Sequence, residues 1–86
     1  MKTGVAGSVA SHDCLITVRP HDRLEIIIES IVHAQFGKQI EHVINETLRE
    51  LGIRKLYVHI NDRGALDYAI KARLITAIKR LEETNA

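Results

Sequence analysis

The spacing of apolar residues changes period three times along the chain, and turn residues divide it further into elements. Cys14, Ile16 and Val18 alternate with Leu15, Thr17 and Arg19, the period-two signature of a strand with one buried face. Pro20 disfavours helix at Arg19, and the polar run His21-Asp22-Arg23 then predicts a turn and a hairpin into a second strand. There Leu24, Ile26 and Ile28 form the inward row, and Ile27 is left as an apolar side chain on the open face. From about Ile31 the period lengthens, and Phe36, Ile40, Val43, Ile44, Thr47, Leu48 and Leu51 follow the spacing of an amphipathic helix that Gly52 ends. Alternation returns over residues 54–61, with Leu56, Val58 and Ile60 inward and Lys55, Tyr57 and His59 outward. The turn Asn61-Asp62-Arg63-Gly64 offers Asp62 as N-cap of a second helix, whose apolar row is Leu66, Ala69, Ile70, Leu74, Ala77, Ile78 and Leu81.

The expected order is therefore strand, strand, helix, strand, helix, with an extra edge strand over residues 5–9. Because every strand shows a single apolar face, the two helices are expected on one side of a small mixed sheet joined by a right-handed crossover. The fold class is α+β, a two-layer sandwich. With 86 residues the chain builds one core, so residues 1–86 read as a single domain in which 1–13 form a flexible lead-in and turn.

Composition narrows the classes of function. Twelve Lys plus Arg against eleven Asp plus Glu lack the basic footprint of a dedicated nucleic-acid binder. Three aromatic residues (Phe36, Tyr57, Tyr68) leave little for base stacking. One cysteine forms no internal disulfide, and no apolar run reaches the length of a signal peptide or membrane span, so the expected address is cytoplasmic.

Candidate chemistry is sparse. The five histidines lack the i, i+4 pairing or Cys/His spacing of zinc sites, and His42 with Glu46 reads as a polar pair on a solvated helix face. Cys14 lies on an inward row, where a thiol behaves as a small hydrophobe rather than a nucleophile. Arg73 and Arg80 share one rim of the second helix and either grip a phosphate or lay their stems on the core. With Lys79 they carry a rival reading, a small RNA-binding domain; Ile27 and Tyr57 carry another, a bare interaction module. Ser11, between Ala10 and His12-Asp13, is by composition alone a turn residue.

The stretches Gly7-Ser8-Val9-Ala10-Ser11-His12-Asp13, Gln35-Phe36-Gly37, Asn61-Asp62-Arg63-Gly64-Ala65-Leu66-Asp67 and Ala72-Arg73-Leu74 give that serine another meaning. Over about residues 7–81 the chain resembles the citrate lyase acyl carrier (gamma) subunit family, most specifically in Asp62 to Asp67. The resemblance implies that Ser11, followed by the motif neighbour Asp13, bears a 2'-(5''-phosphoribosyl)-3'-dephospho-CoA group through a phosphodiester. It further implies partners: an alpha subunit (acyltransferase), a beta subunit (acyl lyase) and a prosthetic-group transferase. The arm's thiol would carry acetyl and citryl groups between them as citrate is cleaved to acetate and oxaloacetate, with no acid, base or nucleophile from this chain. The malonate decarboxylase carrier subunit, with a similar arm, is the second resemblance. Ala10 stands where the family often has an acid, His12 where Gly or Ser is usual, and Tyr68 where Cys is frequent.

Overall fold

The structure, a computed structural model, describes residues 2–84. In chain order it contains β1 (Gly4–Gly7), β2 (Cys14–Arg19), β3 (Leu24–Ser30), α1 (His33–Glu50), β4 (Leu56–Asp62) and α2 (Asp67–Glu83). The four strands form one mixed sheet in the order β1-β2-β4-β3. The α+β architecture follows the sequence pattern, and so do all six elements within a few residues. The edge strand runs over Gly4–Gly7, slightly earlier than residues 5–9.

The predicted hairpin between β2 and β3 does not form. Instead β4 lies between them, antiparallel to β2 (Ile16 opposite Ile60) and parallel to β3 (Ile26 opposite Val58). Burial gives the reason: Leu56, Val58 and Ile60 are all buried, as are Cys14, Ile16 and Val18, whereas no residue of β3 is fully buried. The two strands with the strongest apolar rows take the positions nearest the centre of the core, and the weaker row goes to the edge. β3 then reaches β4 through α1, the helical crossover that a parallel pair requires.

The core is aliphatic, with Ile16, Ile44, Leu48, Ile60, Ile70 and Leu74 at 1% exposure or less. Phe36 and Leu51, expected on the buried row of α1, are exposed, as is Leu66. Gly52 ends α1 as expected. At φ 72° it donates its N–H to Arg49, while Ile53 donates to Leu48, the paired bonds of a Schellman motif.

β1 lies so close to α2 that its first residue has no room for a side chain. A Cβ on Gly4 would stand 2.0 Å from the Ala77 carbonyl oxygen and 2.8 Å from the Leu81 nitrogen, both backbone atoms. Gly4→Ala therefore has to separate β1 from α2, and overpacking of this kind costs about 1–3 kcal/mol. A urea-unfolding midpoint equal to wild type would contradict the contact.

Candidate functional site

One end of the sheet gathers the residues that the sequence singled out. β2 begins there, β3 and β4 end there, and Cys14, Asp62 and Ser30 stand side by side across the three strands. Two loops cover this end, residues 8–13 and residues 63–66, and they are stitched together by backbone bonds. The His12 N–H donates to the Arg63 carbonyl at 2.9 Å, and the Arg63 N–H donates to the Asp13 carbonyl at 2.9 Å.

The first loop turns sharply at Ser11. The Asp13 N–H donates to the Ala10 carbonyl at 3.1 Å, which makes Ser11 and His12 the two corner residues of a β-turn. His12 has φ 65°, the left-handed conformation that the second corner of a type II turn demands and that glycine adopts most easily. Ser11 is exposed, and among the described residues its hydroxyl has no hydrogen-bond partner in the chain. Ser8 differs: its hydroxyl donates to Asp13 Oδ2 at 2.7 Å and accepts the Ala10 N–H at 3.3 Å.

Asp13 faces inward and holds the loop. Its Oδ1 accepts the Cys14 N–H at 2.7 Å and Arg73 Nε at 3.1 Å, while Oδ2 accepts Ser8 Oγ and an Arg73 terminal nitrogen at 3.1 Å. These donors, led by Ser8 and then Arg73, hold the carboxyl at about 2, well below its ordinary value. Arg73 is thus committed to a carboxylate of its own chain, and Arg80 donates to the Val5 carbonyl on β1 at 2.7 Å. Of the three cations of the RNA-binding reading, Arg73, Lys79 and Arg80, Arg73 is thus neutralised within the chain, while Arg80 is tied to β1 with its charge unpaired.

Asp62 holds the second loop. It was expected to cap α2, but that helix begins at Asp67 after Leu66 and has no side-chain cap at its N-terminus. The Asp62 side chain is 1% exposed and instead accepts the Ala65 N–H at 2.9 Å and the Ser30 hydroxyl at 2.7 Å. Gly64, at φ 91°, supplies the left-handed residue that lets the chain turn back to Ala65. In the sequence Asp62 reads as an N-cap because it adjoins a helical pattern. The inward phase of the alternation, which runs Leu56, Val58, Ile60 and then 62, is the signal that it is buried.

Cys14 is fully buried beneath the loop, and desolvation, reinforced by Asp13 and Asp62, pushes its thiol up to about 12. On the open sheet face Arg19 stacks 4.2 Å over the Tyr57 ring, and His21 meets that ring edge-on, so Tyr57 is occupied within the chain. Ile27 remains 38% exposed. Among the described residues no group of three or more His, Cys, Asp or Glu side chains is placed to hold a metal ion, and no helix is long and apolar enough to cross a membrane.

Comparison with known proteins assigns the family. A family model described as malonate decarboxylase delta subunit (MdcD) matches residues 1–81. The citrate lyase acyl carrier protein of Halothermothrix orenii is 44% identical over 80 residues, covering 92% of this chain and 85% of its own. That of Streptococcus mutans is 49% identical over 81 residues, covering 92% and 79%. A chain in the crystal structure of a Pseudomonas malonate decarboxylase hetero-tetramer in complex with malonate shares the fold, with TM-score 0.81, 20% identity, and coverage of 93% of this chain and 84% of that one. The class is therefore that of a small acyl carrier. Within it, the chain belongs to the citrate lyase acyl carrier protein family.

The depressed Asp13 carboxyl sets an acid limit on the loop. A folded-state value near 2 against an ordinary 3.8 means that Asp13 stabilises the fold above about pH 4, and that this contribution disappears as pH falls towards 2. The gap in thermal stability between wild type and Asp13→Asn should be full at pH 5–7 and close between pH 4 and 2. A gap that is constant with pH would contradict the role given to the carboxylate.

Proposed function

We propose that this chain is the acyl carrier of a citrate-cleaving complex and that Ser11 is the attachment point of its phosphoribosyl-dephospho-CoA arm. The observation that carries the reading is the contrast between two serines of one loop. Ser8 is held by Asp13, whereas Ser11 presents an unengaged hydroxyl at the exposed corner of a turn whose base is fixed. An arm that must swing between active sites needs such a hydroxyl on a rigid body. The phosphodiester suits this setting, since Ser11 stands at the exposed corner while the one carboxylate in its loop is already neutralised by Arg73.

When attached, the group supplies a thiol that carries acyl groups as thioesters; the protein's own residues present and recognise it. Asp13 is saturated by four donors and does not serve as base towards Ser11. In this reading the proton of Ser11 is taken by a base other than Asp13, and the transferase is the partner that would supply it. The tether also raises the local concentration of each acyl group at the alpha and beta subunits it visits. Neither nucleic acid nor membrane enters this reading, and the complex works in the cytoplasm.

A second reading, carrier of a malonate decarboxylase-type complex, is favoured by the description of the matching family model and by the shared fold. Reconstitution separates the two: with citrate the product is oxaloacetate, with malonate it is carbon dioxide.

Two outcomes are expected of the protein co-expressed with its transferase. Intact mass should show one adduct, mapped to the peptide containing Ser11, and Ser11→Ala should lack it while keeping the circular dichroism of wild type; an adduct that persists in Ser11→Ala moves the site to Ser8. In addition, because Cys14 is buried and kept protonated, a native-state thiol titration should count none in the unmodified chain and one in the modified chain. Denaturation should add one to each count. A reactive thiol in the native unmodified chain contradicts the burial of Cys14.

A further inference from the structure

Arg73 lies sixty residues from Asp13 in sequence, on the middle of α2, yet its fork closes on the carboxylate that holds the Ser11 loop. The contact is built rather than incidental. Two nitrogens of the guanidinium meet two oxygens of the carboxylate at 3.1 Å each, a bidentate geometry that lysine cannot reproduce. The Arg73 stem passes over β1, and a Cβ on Gly7 would stand 3.3 Å from Arg73 Cδ and 1.8 Å from the Cys14 carbonyl oxygen. Gly7 itself takes φ 97°, so the chain enters the loop in a conformation that leaves the path of Arg73 open. The Asp13 side chain is 17% exposed and that of Arg73 44%, so the pair sits at the surface and its weight lies in geometry, two bonds in a fixed fork, rather than in charge.

We propose that Arg73 is a positioning residue for Ser11: through its fork on Asp13 it ties the 8–13 loop to α2 and holds the serine in the one orientation that the prosthetic-group transferase accepts. The inference rests on the reading of Ser11 as the attachment point. Asp13 distributes the constraint, since the same two oxygens hold Ser8 at the start of the loop and the Cys14 N–H at its end. Without Arg73, Asp13 loses two of four donors and the loop samples orientations in which Ser11 is misplaced. The transferase then meets a carrier that is competent only part of the time, which raises the apparent KM by the inverse of that fraction and leaves kcat nearly unchanged.

The test is a double-mutant cycle on the full chain, with the initial rate of arm transfer read by intact mass at varied carrier concentration. Arg73→Met should raise KM about tenfold with kcat within twofold of wild type, and Arg73→Lys should recover only part of the loss. Asp13→Asn should show a similar defect, and adding Arg73→Met to it should change KM by less than twofold, because both act through one contact. Hydrogen exchange gives a second reading: the Cys14 amide, which donates to Asp13, should lose protection in Arg73→Met while those of Ile16 and Ile60 keep theirs. Losses that multiply in the double variant mean that Arg73 touches the transferase directly and overturn the proposal, as does an unchanged KM in Arg73→Met. Failure of the underlying reading looks different: wild type itself would then acquire no adduct on Ser11.

Discussion

The arrangement at the functional end of the molecule depends on one buried carboxylate. Asp62 ends the central strand, pointing into the protein, where an unpaired charge would cost several kcal/mol. It is accommodated because each oxygen has a donor: the Ala65 N–H closes the loop after β4, and the Ser30 hydroxyl fixes the end of β3. Ser30 in turn accepts the Val32 N–H, so the start of α1 is set by the same chain of bonds. Removing the carboxylate would leave the half-buried Ala65 N–H and Ser30 hydroxyl without this partner and would free the turn after β4 from the end of β3. The Asp-Arg-Gly-Ala segment, the most specific part of the family resemblance, thus has a structural reading. Asp62 supplies the anchor, Gly64 the left-handed turn, and the Arg63 backbone the two bonds that receive the Ser11 loop.

The Ser11 loop is in this sense a passenger on a rigid frame. Its two sides are held by different means, backbone bonds to Arg63 on one and the Asp13 carboxylate with Arg73 on the other. Between these two anchors Val9, Ala10 and the corner residues Ser11 and His12 are exposed. His12 occupies the left-handed corner at a cost of about 1–2 kcal/mol relative to glycine. That cost is tolerable because the corner's own N–H and its neighbour's carbonyl are both bonded to Arg63, which fixes the backbone whatever side chain it carries.

Local pattern made most of the fold legible. Period-two and period-3.6 spacing placed the elements, and Gly52 was readable as a helix end because the Schellman bonds need only local geometry. What local pattern cannot carry is which strand lies beside which. The turn at residues 20–23 reads like a hairpin, but pairing is decided by the competition among three apolar rows for the core, and β4 wins it from across α1. The site divided the same way. Ser11 becomes a candidate only through family resemblance, since an exposed turn serine carries no signal of its own. Arg73 is visible in the sequence as a cation on the rim of a helix, read there as a phosphate grip or a stem laid on the core, but its partner Asp13 is set by tertiary contact.

Such a division of labour has a chemical logic on the proposed reading. A carrier must offer one thiol and no competing ones, and this chain places its single cysteine where desolvation and two carboxylates keep the thiol protonated. It must also keep the link to its own arm. The carboxylate nearest the attachment point is saturated with hydrogen bonds and the second is buried, so neither is free to activate water beside the phosphodiester. Rigidity at the base of the loop and inertness of the groups around it are therefore two results of the same bonds, those that Asp13 and Asp62 accept.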